Sequence, residues 1–151
     1  MKNDQIDELD QKILKLIGEN ARIPFLEVAR ECNVSGAAIH QRITRLLETG
    51  IIQGSKFIFD WNKIGYEASA VIGLNIPREK SYKAIVEEFK KIPEIVECYS
   101  TSGQHDLMIK VVAVSNKELL HFIQDRLYPI GFEHIETTIL FEEIFNRQIP
   151  I

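Results

Sequence analysis

Residues 24–50 read PFLEVARECNVSGAAIHQRITRLLETG, and their interpretation decides the first half of the fold. Pro24 is tolerated in the first turn of a helix, and Phe25, Leu26, Val28 and Ala29 supply an apolar side. That helix ends at Glu31-Cys32-Asn33. Asn33 accepts the left-handed conformation that a tight helix–helix turn needs. Ser35 is a good N-cap for a second helix running to about Thr49, with Gly50 as its stop. Ala38, Ile39, Ile43, Leu46 and Leu47 face a core. The other positions, Gly36, Ala37, His40, Gln41, Arg42, Thr44 and Arg45, are small, polar or basic, and none is acidic. Two short helices joined by a three-residue turn make a helix–turn–helix, whose second helix enters a DNA major groove with its N-terminal residues near base edges. Gly36 and Ala37 let the backbone come close. His40, Gln41, Thr44 and Arg45 can bond base edges, and Arg42 suits phosphate or guanine. The same pattern fits a plain three-helix bundle with a solvated face, and pattern alone leaves both open.

The segment before it, DELDQKILKLIGEN (residues 7–20), carries Leu9, Ile13, Leu16 and Ile17 on one helical stripe. Asp7 is its expected N-cap, which puts Asp10 at the third helical position, where a carboxylate complements the dipole. After Gly50 the period changes. Residues 51–59, IIQGSKFIF, read as a short β ribbon with a Gly-Ser turn and with Lys56 beside it, the wing of a winged helix. Residues 60–63 read as turn and linker. The expected boundary is Gly65, giving a DNA-binding domain over 1–65 and a second domain over 66–151.

The second half alternates strand and helix: strand 68–76, helix 79–91, strand 95–101, strand 107–114, helix 116–128 and strand 135–145. The order βαββαβ is the ferredoxin-like pattern, and the fold class is α+β. Helices in this topology cover one face of the sheet. Leu107–Val114 is apolar on both faces except at Lys110, as strands buried on both sides are. No further element of this half is available for the second face, so the sequence favours a homodimer formed through the sheets. The rival cover is the N-terminal domain folding over the sheet.

Composition narrows the function. Of 151 residues, 45% are hydrophobic and 26% charged, the proportions of a soluble globular protein. No apolar run is long enough for a membrane span, and the acidic N-terminus has no secretory h-region, so a cytoplasmic protein is expected. Two cysteines, Cys32 and Cys98, make neither a disulfide framework nor a zinc cluster. The net charge of −4 argues against bulk nucleic-acid binding. Residues 36–58 nevertheless hold three bases against one acid, so the charge is locally positive where a groove would be read. The four histidines form no metal-ligand spacing, and His105-Asp106 has no nucleophile placed with it. An enzyme is not expected, nor a metal or other cofactor.

With those residues in view, the chain resembles the Lrp/AsnC family of transcriptional regulators. The match runs through Ile6-Asp7, Leu9-Asp10, Ile13-Leu14, Asn20-Ala21-Arg22, Glu27-Val28-Ala29, Val34-Ser35, Arg42-Ile43, Leu46 and Gly50-Ile51-Ile52. It continues in Ser102-Gly103-Gln104-His105-Asp106-Leu107 and in Glu136-Thr137-Thr138-Ile139-Leu140. The resemblance implies a winged helix–turn–helix joined to a ferredoxin-like sensing domain, double-stranded DNA as partner, homodimers, and octamers built as tetramers of dimers. It also implies a small effector, usually an amino acid, at a subunit interface beside Ser102, Gly103, Gln104, His105, Asp106 and Thr137. Asp106 would pair with an ammonium and the glycine turn would offer N–H groups to a carboxylate. Gly103 and Asp106 fit an ordinary hairpin turn equally well. Two positions depart from the family pattern: Ile135 stands in place of the first threonine of Thr-x-Thr, and His105 stands where an aromatic residue is common. The alternative function is a stand-alone sensing module without DNA binding.

Overall fold

A computed structural model describes residues 6–149. The chain divides into two compact units, one holding residues 6–58 with 145–149 and the other residues 59–144. The division falls at Ile58/Phe59 rather than at Gly65, and the last described residues belong with the first unit.

In the first unit, α1 (Glu8–Glu19), α2 (Phe25–Cys32) and α3 (Gly36–Glu48) form a three-helix domain. Their local chemistry follows the sequence. Asp7 and Asp10 build a reciprocal capping box on α1, and Ser35 Oγ accepts from the Ala38 N–H at the start of α3. Asn33 takes the left-handed conformation, φ 55° and ψ 45°, and turns α2 into α3. Ile13, Val28, Ala29, Ile39 and Ile43 are the buried centre. Cys32 packs against it as a small apolar residue.

The expected β ribbon over residues 51–59 does not form. These residues carry no strand ladder. Gly50 adopts φ +72°, and the Ile52 N–H donates to the Leu46 carbonyl at 2.9 Å. The first arm of the expected ribbon is thus spent closing the end of α3, and Ile52 packs on the helical core.

In the second unit, β1 (Ala68–Asn75), α4 (Tyr82–Phe89), β2 (Ile95–Ser100), β3 (Leu107–Ala113), α5 (Asn116–Phe122) and β4 (His134–Leu140) follow the βαββαβ order. The four-stranded sheet is antiparallel in the order β2-β3-β1-β4. After α5 the helix passes through a π turn, Ile123–Leu127, and a 3₁₀ turn, Tyr128–Ile130. β4 stops at Leu140, five residues before the expected end. Beyond it, Phe141 is 96% exposed.

Alternation along the strands sorts the sheet into two faces. Ala70, Ile72 and Leu74 of β1 and Leu107, Ile109 and Val111 of β3 are buried with Ile85, Phe89, Leu119 and Leu127 of the helical layer. The opposite face carries Val71, Gly73 and Asn75, Met108, Lys110 and Val112, and His134, Glu136 and Thr138. As expected, no further helix or strand among the described residues of this half covers this second face, but side chains reach onto it. His105 lies over Gly73, and Glu143, from the segment after β4, reaches Lys110 at 3.8 Å. Val112 is only 5% exposed.

Candidate DNA-reading helix and effector turn

The exposed side of α3 presents Ala37, His40, Gln41 and Thr44. These positions recur every three to four residues and form one stripe along the helix. Ser35 and Gly36 stand at its N-terminal end. The His40 ring packs edge-on against Phe25, with centroids 4.8 Å apart. Lys56 is exposed in the extended segment after the domain's helices.

Arg42 and Arg45 are placed differently from the free base-reading groups expected of them. Both reach back to α1. Arg45 bonds Asp10 Oδ2, and Arg42 bonds Asp7 while lying 3.3 Å from Asp10 Oδ1. Asp10 is completely buried, whereas the two arginine side chains remain 33% and 41% exposed. A buried carboxylate needs such counter-ions, because its charge has lost its water. Each arginine therefore has one end in the α1–α3 contact and still offers positive charge at the surface. The neighbouring Asp7 carboxyl is held down at about 2, first by the Asp10 N–H and then by Arg42. The sequence placed Asp10 at a helix start but not in this network, since its partners lie 32 and 35 residues away.

The turn after β2 is held on the open sheet face. Its Ser102, Gly103, Gln104 and Asp106 are exposed. Asp106 Oδ2 accepts from the Ile76 N–H at 2.8 Å, and the Asp106 N–H donates to the Leu74 carbonyl. The turn is closed by Thr101, whose hydroxyl donates to the His105 carbonyl. His105 itself lies between Asn75 Oδ1 at 3.1 Å and Glu136 Oε2 at 2.8 Å. Its ring stacks parallel to His134, with centroids 5.7 Å apart. Gly73 makes room for the imidazole, since a Cβ there would stand 2.3 Å from its Cδ2.

The residues expected beside a ligand are therefore only partly together. Thr137 pairs with Ile72, and so belongs to the helix-covered face of the sheet, opposite His105. Glu136, one residue earlier, pairs with Gly73 and takes the place expected for Thr137. Asn75, His134 and Glu136 were not singled out from the sequence. Strand parity was the available signal, because residues sharing a face alternate.

Two family models match the chain. One, described as winged helix-turn-helix DNA-binding, covers residues 6–53, and the other, the Lrp/AsnC ligand binding domain, covers residues 69–150. The chain belongs to the Lrp/AsnC family. The regulatory protein AsnC of Haemophilus influenzae is 34% identical over 146 residues, covering 97% of this chain and 94% of its own. AsnC of Escherichia coli K12 is 30% identical over 150 residues, covering 99% of each. The solved structure of E. coli AsnC superposes with a TM-score of 0.87 at 29% identity, over 97% of this chain and 99% of that one. NMB0573 of Neisseria meningitidis, solved as its L-Met complex, has a TM-score of 0.86 at 22% identity over 94% of each chain, which shows the shared fold.

This Lrp/AsnC member is a DNA-binding transcriptional regulator with a small-molecule sensing domain. The match over residues 6–53 decides between a helix–turn–helix and a plain bundle, and it leaves the stand-alone sensing module without support. Among the described residues, no helix is long and apolar enough to cross a membrane.

Proposed function

We propose that this regulator reads duplex DNA through α3 and is modulated by an amino acid bound beside the 102–106 turn. The observation that carries the DNA reading is the exposed stripe Ala37, His40, Gln41 and Thr44. It is flanked by the guanidinium groups of Arg42 and Arg45, with Ser35 and Gly36 at the groove end and Lys56 beyond. Small and amide-bearing residues admit the helix to a groove, and the bases attract phosphate.

The working form is a homodimer, and dimers assemble into octamers as tetramers of dimers. Exposed apolar side chains support self-association: Tyr99 is 56%, Phe141 96% and Ile144 76% exposed. The effector lies at a subunit interface, where Gly103 and Gln104 of the turn and the exposed carboxylate of Asp106 receive a zwitterion. One Asp106 oxygen is already held by the Ile76 N–H, which aims the carboxylate rather than removing it. The L-Met complex of NMB0573 supports an amino acid as the class of ligand. The protein acts in the cytoplasm and has no catalytic role.

A thermal-shift screen of the twenty amino acids, with and without duplex DNA from the region upstream of the protein's own gene, tests this reading. A stabilising hit whose size changes with DNA supports it. Stabilisation by DNA with no amino-acid hit removes the effector, and no response to DNA removes the α3 assignment.

A further inference from the structure

Both ring nitrogens of His105 have oxygen partners. Its Nδ1 lies 3.1 Å from Asn75 Oδ1 and its Nε2 lies 2.8 Å from Glu136 Oε2. The orientation of the Asn75 amide is set elsewhere, because its Nδ2 donates to the Gln104 carbonyl at 2.9 Å. Reversing the amide would put oxygen against oxygen and nitrogen against the ring. Both imidazole nitrogens therefore face acceptors. A neutral imidazole has one N–H and can satisfy only one of them, whereas the imidazolium donates from both nitrogens.

We propose that Asn75 and Glu136 are positioning residues of the effector turn, acting through a doubly protonated His105, so that the turn is clasped only while this ring is charged. Asn75 holds the turn twice, at the Gln104 carbonyl and through His105, and Glu136 anchors the far side of the ring. The regulatory consequence rests on the effector reading above; the clasp itself does not.

Titratable, charged and neutral groups face the ring from the neighbouring elements. From β4 come Glu136, whose carboxylate meets Nε2, and His134, whose ring stacks on it. From β1 come Asn75 and Gly73, which carry no charge. Within the turn, the Asp106 carboxylate is bonded to the Ile76 N–H. Met108 of β3, in register with Gly73, is neutral, and Tyr99 beyond it on β2 donates to Glu97. Lys110 is paired with Glu97 and Glu143. Raising the pH takes one N–H from His105 and breaks half of the clasp. The turn is thus held while His105 carries both protons and released as the pH rises.

The test follows the imidazole nitrogens and the backbone amides of residues 101–106 by NMR in the full-length protein across pH. The expected result is two N–H groups on His105 wherever the turn amides show their clasped positions, with ring and amides changing together. In Glu136→Gln the amide oxygen still accepts but carries no charge, so the clasp is lost at lower pH than in wild type. In His105→Phe the turn amides lose their pH profile. A His105 ring with a single N–H inside a clasped turn overturns the proposal, as does an unchanged amide profile in His105→Phe. Thermal shifts with the best amino-acid hit, over the same pH range, address regulation. Binding that follows the turn's profile supports it, and binding indifferent to a titrating turn overturns it. If no amino acid binds at any pH, the effector reading fails, while the ring and amide data still decide the clasp.

Discussion

Arg45, on the helix assigned to DNA reading, bonds the fully buried carboxylate of Asp10 at the start of the first helix. The same Asp10 side chain accepts from the Asp7 N–H at 3.1 Å and stands 3.3 Å from Arg42. One carboxylate therefore caps α1 and ties α3 to it, so the charges proposed to attract DNA are also structural.

Asp10→Ala should destabilise the helical domain by about 2–3 kcal/mol, short of the ~3–5 for a fully buried pair because the arginines keep part of their water. Denaturant unfolding followed by circular dichroism checks this. A loss below about 0.5 kcal/mol would make the network a surface feature.

Asp7 gives the domain a pH dependence with a definite sign. Its carboxyl is lowered from 3.8 to about 2 in the folded chain, so its contribution is present above about 4 and is lost as pH falls towards 2. Thermal melts between pH 2 and 7 should show this loss in wild type, and less of it in Asp7→Asn.

Arg45→Ala and Gln41→Ala should separate the two duties of α3. Arg45→Ala should lower both the melting temperature and DNA affinity. Gln41→Ala should leave the melt unchanged and cost about 1–3 kcal/mol of discrimination between its site and a mismatched one, if Gln41 reads a base. Paired melts and fluorescence-anisotropy titrations give the comparison.

Gly73→Ala should displace the His105 ring, because the new methyl would stand within 2.3–2.6 Å of three ring atoms. The sheet should remain folded while the ring's contacts with Asn75 and Glu136 are lost, visible as shifts confined to residues 101–106 and 134–136.

The helical half of this fold was legible because its signals are local. Asp7, Asn33 and Ser35 each dictate a cap or turn within three residues of themselves. The βαββαβ order was legible for the same reason, since strand and helix periods differ. What failed was relational. Residues 51–59 had a ribbon's composition, but Ile52 is used to close α3 and no ladder partner remains. Thr137 was assigned to the effector turn from resemblance, yet strand parity gives that face to Glu136. Asp10 looked like a helix-dipole residue because nothing nearby in sequence announces two arginines more than thirty residues away.

The central claim is that an amino acid changes how this protein occupies DNA. Its most direct test is anisotropy titration of a labelled duplex from the region upstream of its gene, against excess unrelated DNA, with and without the amino acid that stabilises it. The account predicts sequence-preferring binding whose affinity changes by about 5–150-fold with the amino acid, the usual range of coupling between sites. Binding no tighter than to the unrelated DNA, or an affinity unchanged at saturating amino acid, would contradict it.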